Sequence, residues 1–388
     1  MVEDREAVVL EEAMAKDEKL QESTTTYKKK GKKGKKGSKT KNDNKGSDGG
    51  IREYKLVNYE DLPDYMKENE FIQKYYRSEW PISHAFLSLF SWHNETLNVW
   101  THLLGFLLFL GLTVMQLSDM PQVADLLGHL HGSVEKINWS FSPKAAGNVS
   151  LNQGSLFSLA SPPNNHDHLQ PDITSAHHRP ANTATAPRWP FLVFLFGSMV
   201  CLITSSLCHL LCCHSRRLNL LLNRLDYAGI AVMIAASFFP PISYAFLCTP
   251  RWRFFYLSSI SFLAVLTVLS LLAPKFTHGS YRAFRALLFS AMGLTGLVPA
   301  VHITVVNWSE SRKMETMACE AAMATFYLVG TAFYVSRVPE KWRPGRFDMA
   351  GHSHQIFHVF VVAGALAHYV AAQLFLEWRD EVSCGGRT

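Results

Sequence analysis

The sequence predicts an all-α membrane protein, a seven-transmembrane-helix bundle with its N-terminus cytosolic and its C-terminus extracellular or lumenal. Three observations carry that expectation. Apolar residues concentrate in runs of about 20, the length an α-helix needs to cross a hydrocarbon core of about 30 Å. The loops between these runs alternate in Lys and Arg content. Finally, the chain opens on a polar stretch with no apolar segment to be cleaved, so insertion is expected to begin with an internal span.

The first element, residues 1–56, is rich in Lys, Gly, Ser, Thr and Asn and has little to bury, which predicts a disordered cytosolic tail. Much of the net charge of +6 resides there, in Lys28–Lys30, Lys32, Lys33, Lys35 and Lys36. With membrane spans following, this cluster points to anionic lipid headgroups, at about 1 kcal/mol per basic residue near the surface, and not to nucleic acid. A solvated tail that only sets topology is the plainer alternative. Residues 57–97 then mix aromatics with charges and are too polar to span. They read as a juxtamembrane segment of short amphipathic helices at the interface.

Seven spans are expected within residues 98–376, at 98–118, 190–213, 226–247, 254–273, 283–304, 317–336 and 354–376. Trp100, Trp189, Trp252, Trp308 and Trp342 stand near the proposed ends, as interfacial aromatics do. Pro240-Pro241 in the third span and Pro299 in the fifth each remove a backbone donor and predict kinks. Residues 119–188 form an unusually long outside loop, read as a flexible insertion, and residues 377–388 an outside C-terminal tail.

Orientation follows from charge. The loops after spans two, four and six carry Arg216, Arg217 and Arg224, then Lys275, Arg282 and Arg285, then Arg337, Lys341, Arg343 and Arg346. The short loops on the other side hold only Arg251, Arg253, Arg312 and Lys313. Basic loops face the cytosol. The sequons at Asn138, Asn148 and Asn307 fall in loops placed outside, where glycosylation can occur. Cys248 and Cys384 also fall outside and could pair.

Four polar residues lie where apolar spans ought to exclude them: His209 near the end of span two, Asp226 opening span three, and His354 and His358 at the start of span seven. Ionisable residues inside a span are costly and read as functional by default. In the predicted topology all four reach a similar depth in the inner leaflet. The i, i+4 spacing puts His354 and His358 on one helix face. Three histidines with a fourth position open to water is the arrangement of a catalytic zinc. Asp226 would orient that water or accept its proton, and Ser205, one turn before His209, would donate a supporting hydrogen bond. Spacing alone equally allows polar helix packing without a metal, and haem ligation is a third reading. Glu95, Asn98 and His102 share a face at the inner end of span one and could join a polar network beside the metal, or serve in capping and packing.

Several long motifs then occur in order. Phe90-Ser-Trp-His-Asn-Glu-Thr-Leu-Asn-Val-Trp-Thr-His102 closely resembles the entry to the first span of the progestin and adiponectin receptor family. So do Ser205-Ser-Leu-Cys-His-Leu-Leu-Cys-Cys-His-Ser215 with Leu225-Asp-Tyr-Ala-Gly-Ile230, and Pro344-Gly-Arg-Phe-Asp348 followed by Ser353-His-Gln-Ile-Phe-His-Val359. The resemblance covers residues 54–376, and the basic tail and long outside loop are most like the family's plant heptahelical proteins. It implies the same inside-N-terminus arrangement. It also implies a zinc held by His209, His354 and His358 with Asp226 and Ser205 beside it.

Two functional classes follow from that resemblance. One is a heptahelical membrane receptor, in the plasma membrane or an endomembrane, acting in hormone, sugar or stress signalling on a hormone or lipid ligand. The other is a zinc-dependent intramembrane hydrolase of a ceramide-type amide. The long insertion alters the outside face, so no adiponectin or progestin ligand is carried over.

Overall fold

The structure, a computed structural model, describes residues 54–118, 120, 186–273, 276, 279–306, 312–382 and 384. The polybasic tail, most of the 119–188 loop and the sequons at Asn138, Asn148 and Asn307 lie outside the described residues.

Ten α-helices are described: α1 (Ile82–Leu87), α2 (Thr96–Ser118), α3 (Trp189–Leu211), α4 (Arg216–Ser237), α5 (Phe239–Ala245), α6 (Pro250–Leu272), α7 (Arg282–Leu294), α8 (Leu297–Val306), α9 (Lys313–Ser336) and α10 (Ser353–Glu381). Taken with their broken partners they make seven stretches long and apolar enough to cross a membrane. The chain is an integral, multi-pass membrane protein.

Proline sets several boundaries. Pro190, Pro240 and Pro250 each occupy the first turn of a helix, where the missing N–H would have no partner anyway. The expected kink in span three is therefore a break, with α4 ending at Ser237 and α5 restarting at Phe239. Span five also breaks, but at Thr295–Gly296 and not at Pro299 itself. A proline ring excludes the carbonyl four residues before it; here that carbonyl, on Thr295, accepts from Val298 instead.

Two boundaries depart from the hydropathy reading. Span three starts ten residues early, at Arg216, behind a Ser215 side chain that accepts from the Leu218 N–H. Asp226 consequently sits in the third turn of α4 and not in its first. The polar residues of that extra stretch turn inward: Asn219 donates to the Cys212 carbonyl, and Asn223 to the Asn219 carbonyl. Span seven continues to Glu381, so residues 377–381 belong to α10 and not to a tail. Its last turns are held by the Arg188–Asp380 ion pair and by the Cys248–Cys384 disulfide.

The main core lies between α2, α3 and α10, where Phe109, Phe191, Phe194, Leu195, Leu202, Val361 and Ala365 are buried together. Small residues let the helix pairs approach closely, the usual basis of packing between membrane helices. A Cβ added to Gly197 would lie 2.4 Å from the Ala236 Cβ, and one at Gly364 would lie 2.7 Å from the Tyr327 ring. Gly197→Val is expected to force α3 and α4 apart at a cost of about 1–3 kcal/mol. Thermal unfolding in detergent should show the loss; an unchanged midpoint would refute the close approach.

The juxtamembrane segment contains less helix than expected: two single 3-10 turns at Tyr59–Asp61 and Asp64–Met66, the short α1, and a further 3-10 turn at Ser88–Phe90. A bridge between Val57 and Tyr76 closes it into a loop around Leu62, Ile72 and Tyr76. It docks on one end of the bundle. Its residues bond the loop between α9 and α10, through Gly345 N–H to the Phe71 carbonyl and through Arg337 to Glu70. Arg282 donates to the Glu68 carbonyl at that end as well.

Candidate metal centre

At this same end, His209 in the last turn of α3 meets His354 and His358 in the first two turns of α10. One ligand atom from each lies within 4.8 Å of the others, the one such His, Cys or carboxylate group among the described residues. The three ring centroids form a triangle with sides of 4.6–4.9 Å. Nε2 of His209 and Nε2 of His354 stand 3.1 Å apart. Tetrahedral zinc with nitrogen ligands at about 2.0–2.1 Å places such atoms roughly 3.3 Å apart.

The remaining ring nitrogens test the fit. Metal-ligating histidines usually give their other N–H to a carboxylate or a backbone carbonyl, which fixes the tautomer. Nδ1 of His209 lies 2.8 Å from Glu95 Oε2, and Nδ1 of His358 lies 3.3 Å from the Asn98 carbonyl. Each ring therefore has Nε2 left for an ion. The donor set, three imidazoles with two of them oriented from behind, suits a divalent metal better than it suits mutual hydrogen bonding.

α2 supplies the support. Asn98 Nδ2 donates to Glu95 Oε2 at 2.5 Å, so the same carboxylate oxygen is shared by Asn98 and His209. Burial alone would raise the Glu95 carboxyl, but the neighbouring His209 and Asn98 hold it below the ordinary carboxylate range. His102 stacks on His358 with centroids 3.6 Å apart and planes 11° from parallel, and both its nitrogens are buried without a partner. Glu95, one residue before α2, and Asn98 and His102 within it, all three singled out from the sequence, thus come to the centre. Glu95→Gln, which keeps the shape and removes the charge, is expected to weaken metal binding about 10–100-fold in competition with a chelator. Equal affinity in that variant would show that Glu95 is not orienting His209.

Asp226 and Ser205 also come together. Asp226 lies near Ser205 across the α3–α4 contact and within electrostatic reach of His209. Asp226 is not part of the ligand triangle. A cavity of about 100 Å³ opens beside the histidines, lined in part by Asn94, Glu95, Asn98, Cys208, His209 and His354.

Other histidines have separate partners: His214 faces the Trp80 carbonyl, His302 the Tyr256 hydroxyl and His368 the Glu320 carboxylate. His352 occupies the position before α10, against the Asn94 carbonyl, off the triangle. Sequence reasoning missed the groups that secure the site from outside the spans. His93 accepts the Glu95 N–H, and burial with the Arg77 charge nearby pushes its imidazole down to about 3, so it is neutral. Glu340 is fully buried and accepts from both the N–H and the hydroxyl of Ser353 at the start of α10. The chemical signal available for Glu340 was only its place thirteen residues before Ser353.

Comparison with known proteins gives consistent relatives. Residues 90–369 match a family described as Haemolysin-III related. Heptahelical transmembrane protein ADIPOR1 of Oryza sativa subsp. japonica is 56% identical over 348 residues, covering 86% of this chain and 87% of its own length. Heptahelical transmembrane protein 1 of Arabidopsis thaliana is 49% identical, covering 86% and 85%. The adiponectin receptor protein of Drosophila melanogaster is 31% identical, covering 81% of this chain and 58% of its own length.

Proposed function

The chain belongs to the Haemolysin-III related family, and from that membership and the histidine triangle we propose that it is an adiponectin-receptor-like membrane receptor built around an intramembrane zinc ion. The observation that carries this reading is the convergence of His209, His354 and His358 within 4.8 Å. The name of the Drosophila relative supports the receptor class, with hormone, sugar or stress responses as its setting and a hormone or lipid as its ligand.

The metal end of the bundle faces the cytosol in this proposal, and the basic N-terminal cluster engages anionic headgroups there. Support comes from the basic residues gathered at that end, among them Arg216, Arg282, Arg337 and Arg346. The Cys248–Cys384 pairing at the opposite end supports an oxidising, outside location for that face.

Zinc held by the three histidines would polarise a carbonyl oxygen and lower the pKa of water to about 7. The chain's own groups do the rest. Glu95 and the Asn98 carbonyl fix two imidazole tautomers, and His102 restrains the His358 ring. Three protein ligands and not four favour a second reading, hydrolysis of a ceramide-type lipid amide. There Asp226, beside Ser205, accepts the proton of an attacking water and returns it to the leaving amine.

Metal analysis of the purified full-length protein tests the centre. About one zinc per chain is expected, falling to background when the three histidines are replaced together. Wild-type protein purified without any metal would overturn the reading.

A further inference from the structure

Among the described residues, the largest fully buried side chain belongs not to a span but to the juxtamembrane segment: Arg77, 2% exposed. Its Nη2 donates to the carbonyl of His209 at 2.7 Å, and its Nη1 to the carbonyl of Leu210 at 2.8 Å and to the Ser88 hydroxyl at 2.6 Å. A helix leaves its last four carbonyls without intrahelical partners. At the end of α3, Cys212 N–H takes the Cys208 carbonyl and His214 N–H takes that of Leu211. The two between them, on His209 and Leu210, are satisfied by Arg77. A cation at a helix C-terminus is also favoured by the helix dipole.

We propose that Arg77 is the positioning residue of the metal centre, through which the juxtamembrane segment sets the backbone of a metal ligand and so the affinity of the site. This rests on the metal reading above. Glu95 orients the His209 ring from the turn that opens α2 while Arg77 holds the His209 carbonyl, so ring and backbone are fixed from separate parts of the chain.

Two further observations point the same way. Tyr75 and Glu79 bracket Arg77, and both are non-glycine residues in the left-handed region, with φ of 68° and 55°. Such conformations persist only where surroundings impose them, and they gather at functional sites. Here the Val57–Tyr76 bridge and the Asn94 N–H bonded to the Tyr75 carbonyl impose the turn. The same segment also reaches the second ligand helix. Asn69 Nδ2 donates to Glu340 Oε1 at 3.1 Å, and Glu340 caps α10 at Ser353, next to His354. One segment therefore grips the ends of both helices that carry ligands. Coupling of this kind is reciprocal: metal binding orders the segment, and whatever displaces the segment weakens the metal.

The test uses full-length protein carrying Arg77→Met, Arg77→Lys, or Asp380→Asn, which breaks an ion pair at the opposite end of the bundle. Arg77→Met is expected to bind zinc about 10–100-fold more weakly by chelator competition, the range seen when groups behind a ligand are removed. It should also shift the visible bands of the cobalt-substituted protein, with Arg77→Lys restoring both in part. Asp380→Asn serves as the matched destabilisation and should leave metal affinity and bands unchanged. Hydrogen exchange gives a readout independent of metal: the amides of residues 211–214 should exchange faster in Arg77→Met. Wild-type affinity and wild-type bands in Arg77→Met overturn the proposal. If wild-type protein holds no metal, the metal reading fails, and unchanged exchange at residues 211–214 then removes the clamp as well.

Discussion

His354→Ala is expected to abolish stable metal binding, with affinity lowered at least about 100-fold, beyond the 10–100-fold typical of groups behind a ligand. The imidazole removed is one of three, and its Nε2 is the atom facing Nε2 of His209 at 3.1 Å. Two ligands on separate helices cannot close a site that three were built to close. The bundle itself should survive, because the start of α10 is still held by Glu340 on Ser353 and by Gln355 on the Met349 carbonyl. Anything that binds only the folded state stabilises it by mass action, by about 4 kcal/mol at a thousandfold excess over Kd. Chelation should therefore lower the melting temperature of wild-type protein in detergent and leave that of His354→Ala unmoved. A chelator-sensitive melt in the variant would mean that the ion sits elsewhere.

Asp226→Asn separates the two functional readings. The residue is buried beside Ser205 and outside the ligand triangle, so zinc content is expected to stay at the wild-type value. If the site cleaves a lipid amide, loss of the proton acceptor should reduce turnover of a ceramide-type substrate by about 10²–10⁴-fold. Receptor output that survives in this variant would separate signalling from hydrolysis. Parallel loss of both would make the cleaved lipid the signal. Hydrolysis at the wild-type rate would remove Asp226 from the chemistry.

How far the centre could be read in advance differs residue by residue. His354 and His358 stand out by an i, i+4 spacing inside an apolar run, where ionisable groups are costly and read as functional by default. His209 and Asp226 are conspicuous for the same reason. Glu95, Asn98 and His102 were visible only as polar residues sharing a helix face, with capping as an equal explanation. Their roles emerge because α2 packs against α3 and α10 at the level of the histidines. Asn69, Arg77, His93 and Glu340 carried no such signal. They lie in polar stretches where charged residues are ordinary, and only docking of the segment buries them.

The same distinction accounts for the boundaries that moved. Arg216 to Leu225 reads as a loop because hydropathy marks where a helix meets lipid, not where it ends. Asn219 and Asn223 are buried against the rest of the bundle, so a polar stretch continues the helix and carries Asp226 into its third turn.

Class and span count were determined by the sequence alone, because a membrane leaves few solutions. Every backbone polar group in hydrocarbon must be satisfied within its own segment, so each apolar run of sufficient length is a helix wherever it lies in the chain. The cost of burying polar groups marked the three histidines as candidates in the sequence, and the family resemblance singled them out as a ligand set. Their convergence was decided only by tertiary structure. Close approach at Gly197 and Gly364, and the grip of the juxtamembrane segment on α3 and α10, depend on contacts between residues remote in sequence. No local pattern encodes which helices adjoin, and a metal centre exists only where they do.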